Sequence, residues 1–168
     1  PKSGGGEKVN LINNPAAVNP TWGQLMAFLR ADSTDDKYYI MNVFTCGDYA
    51  EMVHNNAEAA GIRTAVVAVH FRNTSIAHGL NAFKTTDRGF VYVDCSGRYT
   101  PPMTYQERLY EQSHPTEWDR IAYIAKGKEY GLVSIDQADS PEYSFYEQIR
   151  WTNRWTPGDI VISIEIYW

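Results

Sequence analysis

Cysteine is scarce in this chain of 168 residues, with Cys46 and Cys95 the only two. Together with four scattered histidines they show no zinc-ligand spacing. They fit one disulfide in an oxidising compartment or two thiols in a reducing one, so cysteine count alone does not place the protein. No run of 18 apolar residues is present, which excludes a membrane-spanning helix, and the N-terminus lacks the basic and apolar regions of a signal peptide. Positive charge is the minority sign, with 15 Lys and Arg against 20 Asp and Glu for a net charge of -5. There is no basic stripe to replace counterions on phosphate, which argues against a nucleic-acid partner. Hydrophobic residues make up 43% of the chain and charged ones 21%, so it carries the composition of a folded domain rather than of disorder.

The length suits one domain with a sizeable core. Three consecutive glycines in Pro1-Lys2-Ser3-Gly4-Gly5-Gly6-Glu7-Lys8 oppose regular structure, so residues 1–10 read as a linker or cloning scar. The domain is then 11–168, as part of a larger parent protein or alone. Trp22, Leu25, Met26 and Leu29 recur at helical spacing and predict a helix over Thr21–Ala31. A second helix is predicted to begin at Cys46, with Thr45 as cap and Asp48 reaching back, and to run about four turns to Gly61.

Ile62–Phe71 has the pattern of a central strand. His78–Lys84 and Phe90–Cys95 flank a polar connection ending in Gly89 and predict a hairpin. A second hairpin is expected from Trp118–Ala125 and Tyr130–Ile135. Ser140-Pro141-Glu142 opens an expected late helix carrying Tyr143, Tyr146 and Ile149. From Ile160 to Tyr167 the residues alternate with period two, predicting a closing strand with one buried face. Helices early and late around an antiparallel sheet make an α+β domain.

Chemistry concentrates at Cys46. A thiol in the first turn of a helix meets unpaired backbone N–H groups and the positive end of the helix dipole, which favour the nucleophilic thiolate. The Cys46 N–H is also a natural donor to an oxyanion. The alternative is a small buried hydrophobe, the common fate of free cysteines. A nucleophilic cysteine needs a histidine and a group to orient it. His54 lies about 12 Å along the same helix from Cys46, too far to touch it. His70 reads as a strand residue and His114 as a loop residue. His78 begins a strand whose hairpin partner carries Asp94, between apolar Val93 and Cys95. A carboxylate in that setting calls for a partner; a three- or five-residue connection centred on Thr86 would pair His78 with Asp94, and a four-residue one would bring Cys95 to that face instead. The other reading is an Asp that binds local backbone. If Asp94 turns toward His78, Cys95 turns away, so the triad and a Cys46–Cys95 disulfide exclude each other. Asn81 should face away from His78.

The segments Thr45-Cys46-Gly47-Asp48-Tyr49-Ala50, Ala59-Ala60-Gly61-Ile62-Arg63, Ala77-His78-Gly79-Leu80-Asn81-Ala82-Phe83 and Gly89-Phe90-Val91-Tyr92-Val93-Asp94 resemble the transglutaminase-like superfamily. The His54–Gly61 run, Thr85–Gly89 and the final Ile166-Tyr167-Trp168 look like such domains of archaeal and bacterial proteins, many of them exported. The resemblance implies a papain-like fold with the Cys46 helix packed on an antiparallel sheet. It implies Cys46 as nucleophile, His78 as base and Asp94 as orienter, acting on a protein or peptide amide through a thioester. It further implies an extracellular or cell-surface location. Leu80 departs from the family, where an aromatic residue commonly stands two positions after the histidine, which bears on the substrate channel. For a side-chain oxyanion donor upstream of the cysteine, Trp22, Gln24 and Asn42 are the candidates.

Two other readings accompany this one. A non-catalytic cell-surface binding module on the same fold would use some of the 12 tyrosines and 5 tryptophans to line a groove. Asp32, Asp35 and Asp36 suggest calcium but lack the spacing and distal Glu of an EF-hand, so capping and a solvated turn are expected there. No metal and no organic cofactor is expected.

Overall fold

The computed structural model describes residues 1–99, 104–106, 109, 118–140 and 160–168. Helix α1 spans Trp22–Ala31, and Thr21 and Gln24 close a reciprocal capping box at its start. A short 3-10 turn, Thr34–Asp36, leads into β1, Tyr38–Tyr39. Helix α2 spans Cys46–Ala59, and its first turn is closed by Thr45 and Asp48 in the same reciprocal manner. The strands β2, Ala65–Phe71, β3, His78–Thr85, and β4, Gly89–Asp94, follow. Next come β5, Arg98–Tyr99, β6, Arg120–Tyr123, β7, Gly131–Ser134, a short helix α3, Ile135–Asp139, and β8, Val161–Tyr167.

Six strands form one antiparallel sheet in the order β7-β6-β4-β3-β2-β8, while β1 and β5 make a separate parallel pair. Among the described residues this is an α+β fold of three helices and a six-stranded antiparallel sheet, with α2 packed on β2 and β3. Alternation divides the sheet into two apolar faces. Phe83, Val91, Val93, Cys95, Ile121 and Val133 pack against Leu25, Met26 and Leu29 of α1 and Val53 and Ala57 of α2. On the other face Val67, Val69, Leu80, Ala82, Ala122 and Leu132 form a second cluster with Phe71, Tyr130 and Val161.

The first hairpin differs from expectation in its centre. Thr85 pairs with Gly89 and Asn81 with Val93, so the three-residue connection is centred on Asp87 rather than Thr86. Gly89 takes a φ of 69° at the turn, which favours glycine and helps place the tip. Continuing this register sets Asp94 opposite Leu80, two residues from the expected pairing. A shift of two preserves the face, because side chains alternate with period two.

Three other elements differ as well. The strand expected from Ile62 begins at Ala65, because Ile62 and Arg63 pair instead with Val18 in the lead-in. Ile135 opens α3 instead of ending β7, since Ser134 and Gln137 form a capping box, a signal present in the sequence as Ser-x-x-Gln. In β8, Val161 is buried but Ile162, Ile166 and Tyr167 are exposed, because the strand lies at the sheet edge beside β2. The helix expected from Ser140 onward and His114 lie outside the described residues. Asp35 is buried at 7% and accepts the Trp118 N–H at 3.0 Å, so it is no solvated turn residue.

Phe83 is wholly buried where α1 meets the sheet, with its ring 6.4 Å from that of Phe28. Phe83→Ala should cost about 3–5 kcal/mol of stability through lost burial and a residual cavity. Urea denaturation checks this, and a loss near zero would mean that the helices do not pack on this face.

Candidate active site

The start of α2 sits directly on the beginning of β3. A Cβ added at Gly79 would lie 3.0 Å from the Cys46 carbonyl oxygen and 3.2 Å from the Gly47 nitrogen, so a residue without a side chain lets the helix end approach this closely. The His78 side chain and the Gly79 backbone stand beside the Cys46 sulfur and are the groups that favour its thiolate. Both cysteines are free thiols. Burial pushes the Cys46 thiol up, but the hydrogen bond and charge of His78, together with the Gly79 N–H, bring it below the ordinary thiol value.

His78 and Asp94 share the sheet face away from the two longer helices. His78 Nε2 lies 2.8 Å from Asp94 Oδ2, with both side chains almost completely buried. Since Nε2 engages the carboxylate, Nδ1 is the nitrogen left for the thiol. Burial alone would lower the His78 pKa; the Asp94 charge and hydrogen bond, then the Cys46 hydrogen bond and charge, reverse this and raise it from 6.5 to about 10. The arrangement favours imidazolium beside thiolate. Cys95, one position past Asp94, turns into the helix-side core, where burial and Asp119 push its thiol well above the ordinary value.

Asp94 combines the two roles that its position suggested. Its Oδ1 accepts the Ser96 N–H at 2.9 Å, a local backbone bond, while Oδ2 accepts from His78 and from the Tyr130 hydroxyl at 2.7 Å. Arg120, only 1% exposed, pairs with Asp94 across β4 and β6. Its Nη2 lies 4.0 Å from Asp94 Oδ1 and donates to the Ser96 carbonyl at 2.6 Å. Tyr130, Arg120 and Ser96 were not anticipated. The one available signal was Arg120 itself, a charge within the apolar run Trp118–Ala125, of the same kind that singled out Asp94.

The remaining candidates are placed elsewhere. Trp22 donates its N–H to Asp87 at the hairpin tip, the end of β3 opposite His78, and its indole Nε1 donates to Asp139 at 2.8 Å. Gln24 is held in the α1 capping box. Neither lies at the Cys46 end of the sheet. Asn42 stands in the exposed turn between Ile40 and Phe44 with a φ of 62°, just before Cys46 in sequence. Asn81 faces α2 and donates to the Ala50 carbonyl at 2.8 Å. His54 is buried beside Asn55, and His70 is partly exposed near Glu165. Among the described residues no group of His, Cys, Asp and Glu is placed to hold a metal.

The glycine-rich N-terminus also reaches this region. The Gly4 N–H donates to Asp48 Oδ2 at 2.6 Å, and a Cβ at Gly47 would meet the Lys2 carbonyl oxygen at 2.0 Å. Compared with family models, curated proteins and solved structures, the chain matches none.

The two shifted groups act oppositely on stability. Between pH 6.5 and about 10 the folded chain holds an extra proton on His78, so this group alone makes stability fall as pH rises. The lowered Cys46 means one fewer proton in the folded chain up to the ordinary thiol value, which makes stability rise. In Cys46→Ser only the first effect remains, with His78 still raised by Asp94. The urea midpoint of Cys46→Ser should therefore fall more steeply than that of the wild type between pH 7 and 9. Parallel curves would show that the thiol and imidazole are not linked.

Proposed function

We propose that this protein is a cysteine-dependent enzyme of the transglutaminase-like, papain-related kind, which transfers or hydrolyses the acyl group of a protein or peptide amide. The observation that carries this reading is a buried histidine that binds a buried carboxylate through Nε2 at 2.8 Å and stands beside a helix-start cysteine, whose thiol its charge brings below the ordinary value. That is the relay required for nucleophilic catalysis by a thiol.

In this mechanism the Cys46 thiolate attacks the amide carbonyl carbon. The charge moves onto the carbonyl oxygen, where the Cys46 N–H at the first position of α2 is the available donor. Collapse of the tetrahedral adduct breaks the carbon–nitrogen bond, and the His78 imidazolium delivers its proton to the departing amine. The acyl group remains on Cys46 as a thioester. Water or a second amine then enters, His78 takes its proton, and the carbon–sulfur bond breaks to restore thiolate and imidazolium. Asp94 holds the ring so that one nitrogen faces the sulfur throughout. Hydrolysis and crosslinking differ only in which nucleophile enters second.

Iodoacetamide at pH 6 separates activated from ordinary thiols, since only thiolate reacts. Cys46 should be alkylated at least about tenfold faster than Cys95, and His78→Ala should abolish the difference. Equal, slow labelling of both thiols would overturn the proposal and favour a non-catalytic binding module on the same fold.

A further inference from the structure

The network behind the imidazole is larger than a triad requires. Asp94 is 0% exposed, so no bulk water solvates its charge, and donors from the protein must do so. His78 Nε2 and the Tyr130 hydroxyl both reach Oδ2, at 2.8 and 2.7 Å, while the Ser96 N–H holds Oδ1 at 2.9 Å. Tyr130 also packs edge-on against the imidazole, with ring centroids 5.8 Å apart and planes at 81°, and edge-on against Phe71 at 5.6 Å. One side chain thus contacts both the carboxylate and the ring that the carboxylate orients.

Resting on the proposed function, we infer that Tyr130 is a positioning residue, whose hydroxyl keeps Asp94 charged and turned toward His78 and so sustains the thiolate on Cys46. Without the hydroxyl, Oδ2 loses one of its donors inside an apolar face of the sheet. The charged carboxylate becomes less favourable, and the proton in the His78–Asp94 hydrogen bond shifts toward oxygen. The imidazole then carries less positive charge, and the thiolate loses part of its counterion.

Among the described residues, charged and titratable groups stand around Asp94 on several elements. Cys46 lies on α2, His78 on β3, Tyr130 just before β7, and Arg120 on β6, with Nη2 at 4.0 Å from Oδ1. Cys95 follows Asp94 directly and turns to the helix-side core, where Asp119 acts on its thiol. Arg120 Nη2 donates to the Ser96 carbonyl, while the Tyr130 hydroxyl donates to Oδ2.

The test is the pH profile of Cys46 alkylation by iodoacetamide, with Cys95 as internal reference. Tyr130→Phe keeps the ring and removes the hydroxyl. Its acid limb should move toward neutral pH by about half a unit or more, roughly threefold less thiolate at a given pH on that limb. Phe71→Leu is the packing control: it loosens the Tyr130 ring and lowers stability, and its limb should stay with the wild type. Site-specific 3-fluorotyrosine at position 130 keeps the shape but strengthens the donor, and should move the limb the other way. That arm decides the matter if Tyr130→Phe fails to fold.

Coincident wild-type, Tyr130→Phe and fluorotyrosine profiles would overturn the inference while leaving the proposed function in place. A shift in Phe71→Leu equal to that of Tyr130→Phe would reduce Tyr130 to packing and overturn it too. A wild-type Cys46 with no more reactivity than Cys95 at acid pH would remove the proposed function and the inference together.

Discussion

A carboxylate with no access to water cannot stand alone, and the architecture around Asp94 follows from that constraint. An unpaired buried charge would cost several kcal/mol, and only a full set of well-directed donors makes it tolerable. Four groups meet it. His78 comes from the neighbouring strand β3, Tyr130 and Arg120 from the β6–β7 hairpin, and the Ser96 N–H from just past the end of β4. Each of these must be in register for the charge to be met, so the site and the sheet specify one another.

The same charge accounts for the behaviour of the thiol. His78 is completely buried, and burial by itself favours a neutral ring; Asp94 reverses that preference. The resulting positive charge then favours the thiolate on Cys46 against the burial that opposes it. Cys95 shows the counter-case within the same molecule. Burial and the acidic Asp119 push its thiol upward. Two cysteines close to Asp94 in the fold are driven in opposite directions by which face of β4 their partners occupy.

Local chemistry made much of this readable in advance. Capping boxes and apolar periodicity located α1 and α2, and Cys46 opens its helix as Thr45 and Asp48 indicate. The first hairpin was readable as a hairpin, but its loop length, and with it which of Asp94 and Cys95 shares the His78 face, was not. Thr86 and Asp87 are both acceptable turn residues, and the choice between them rests on the whole ladder from Thr85–Gly89 to Asn81–Val93. The final strand was legible as a strand, yet its exposed isoleucines were not, because alternation describes a face without saying whether anything covers it.

The sequence by itself determined where α1 and α2 begin, that Asp94 sits among apolar neighbours, and that His78 can share its face. These follow from interactions within a turn or a hairpin, which span few residues. Tertiary structure alone decided that α2 starts over Gly79, that Arg120 stands opposite Asp94, and that the Tyr130 hydroxyl reaches the same carboxylate oxygen as His78. The last two contacts join residues 26 and 36 positions apart through the β4–β6 pairing, and nothing in local propensity carries information about which distant strands will pair.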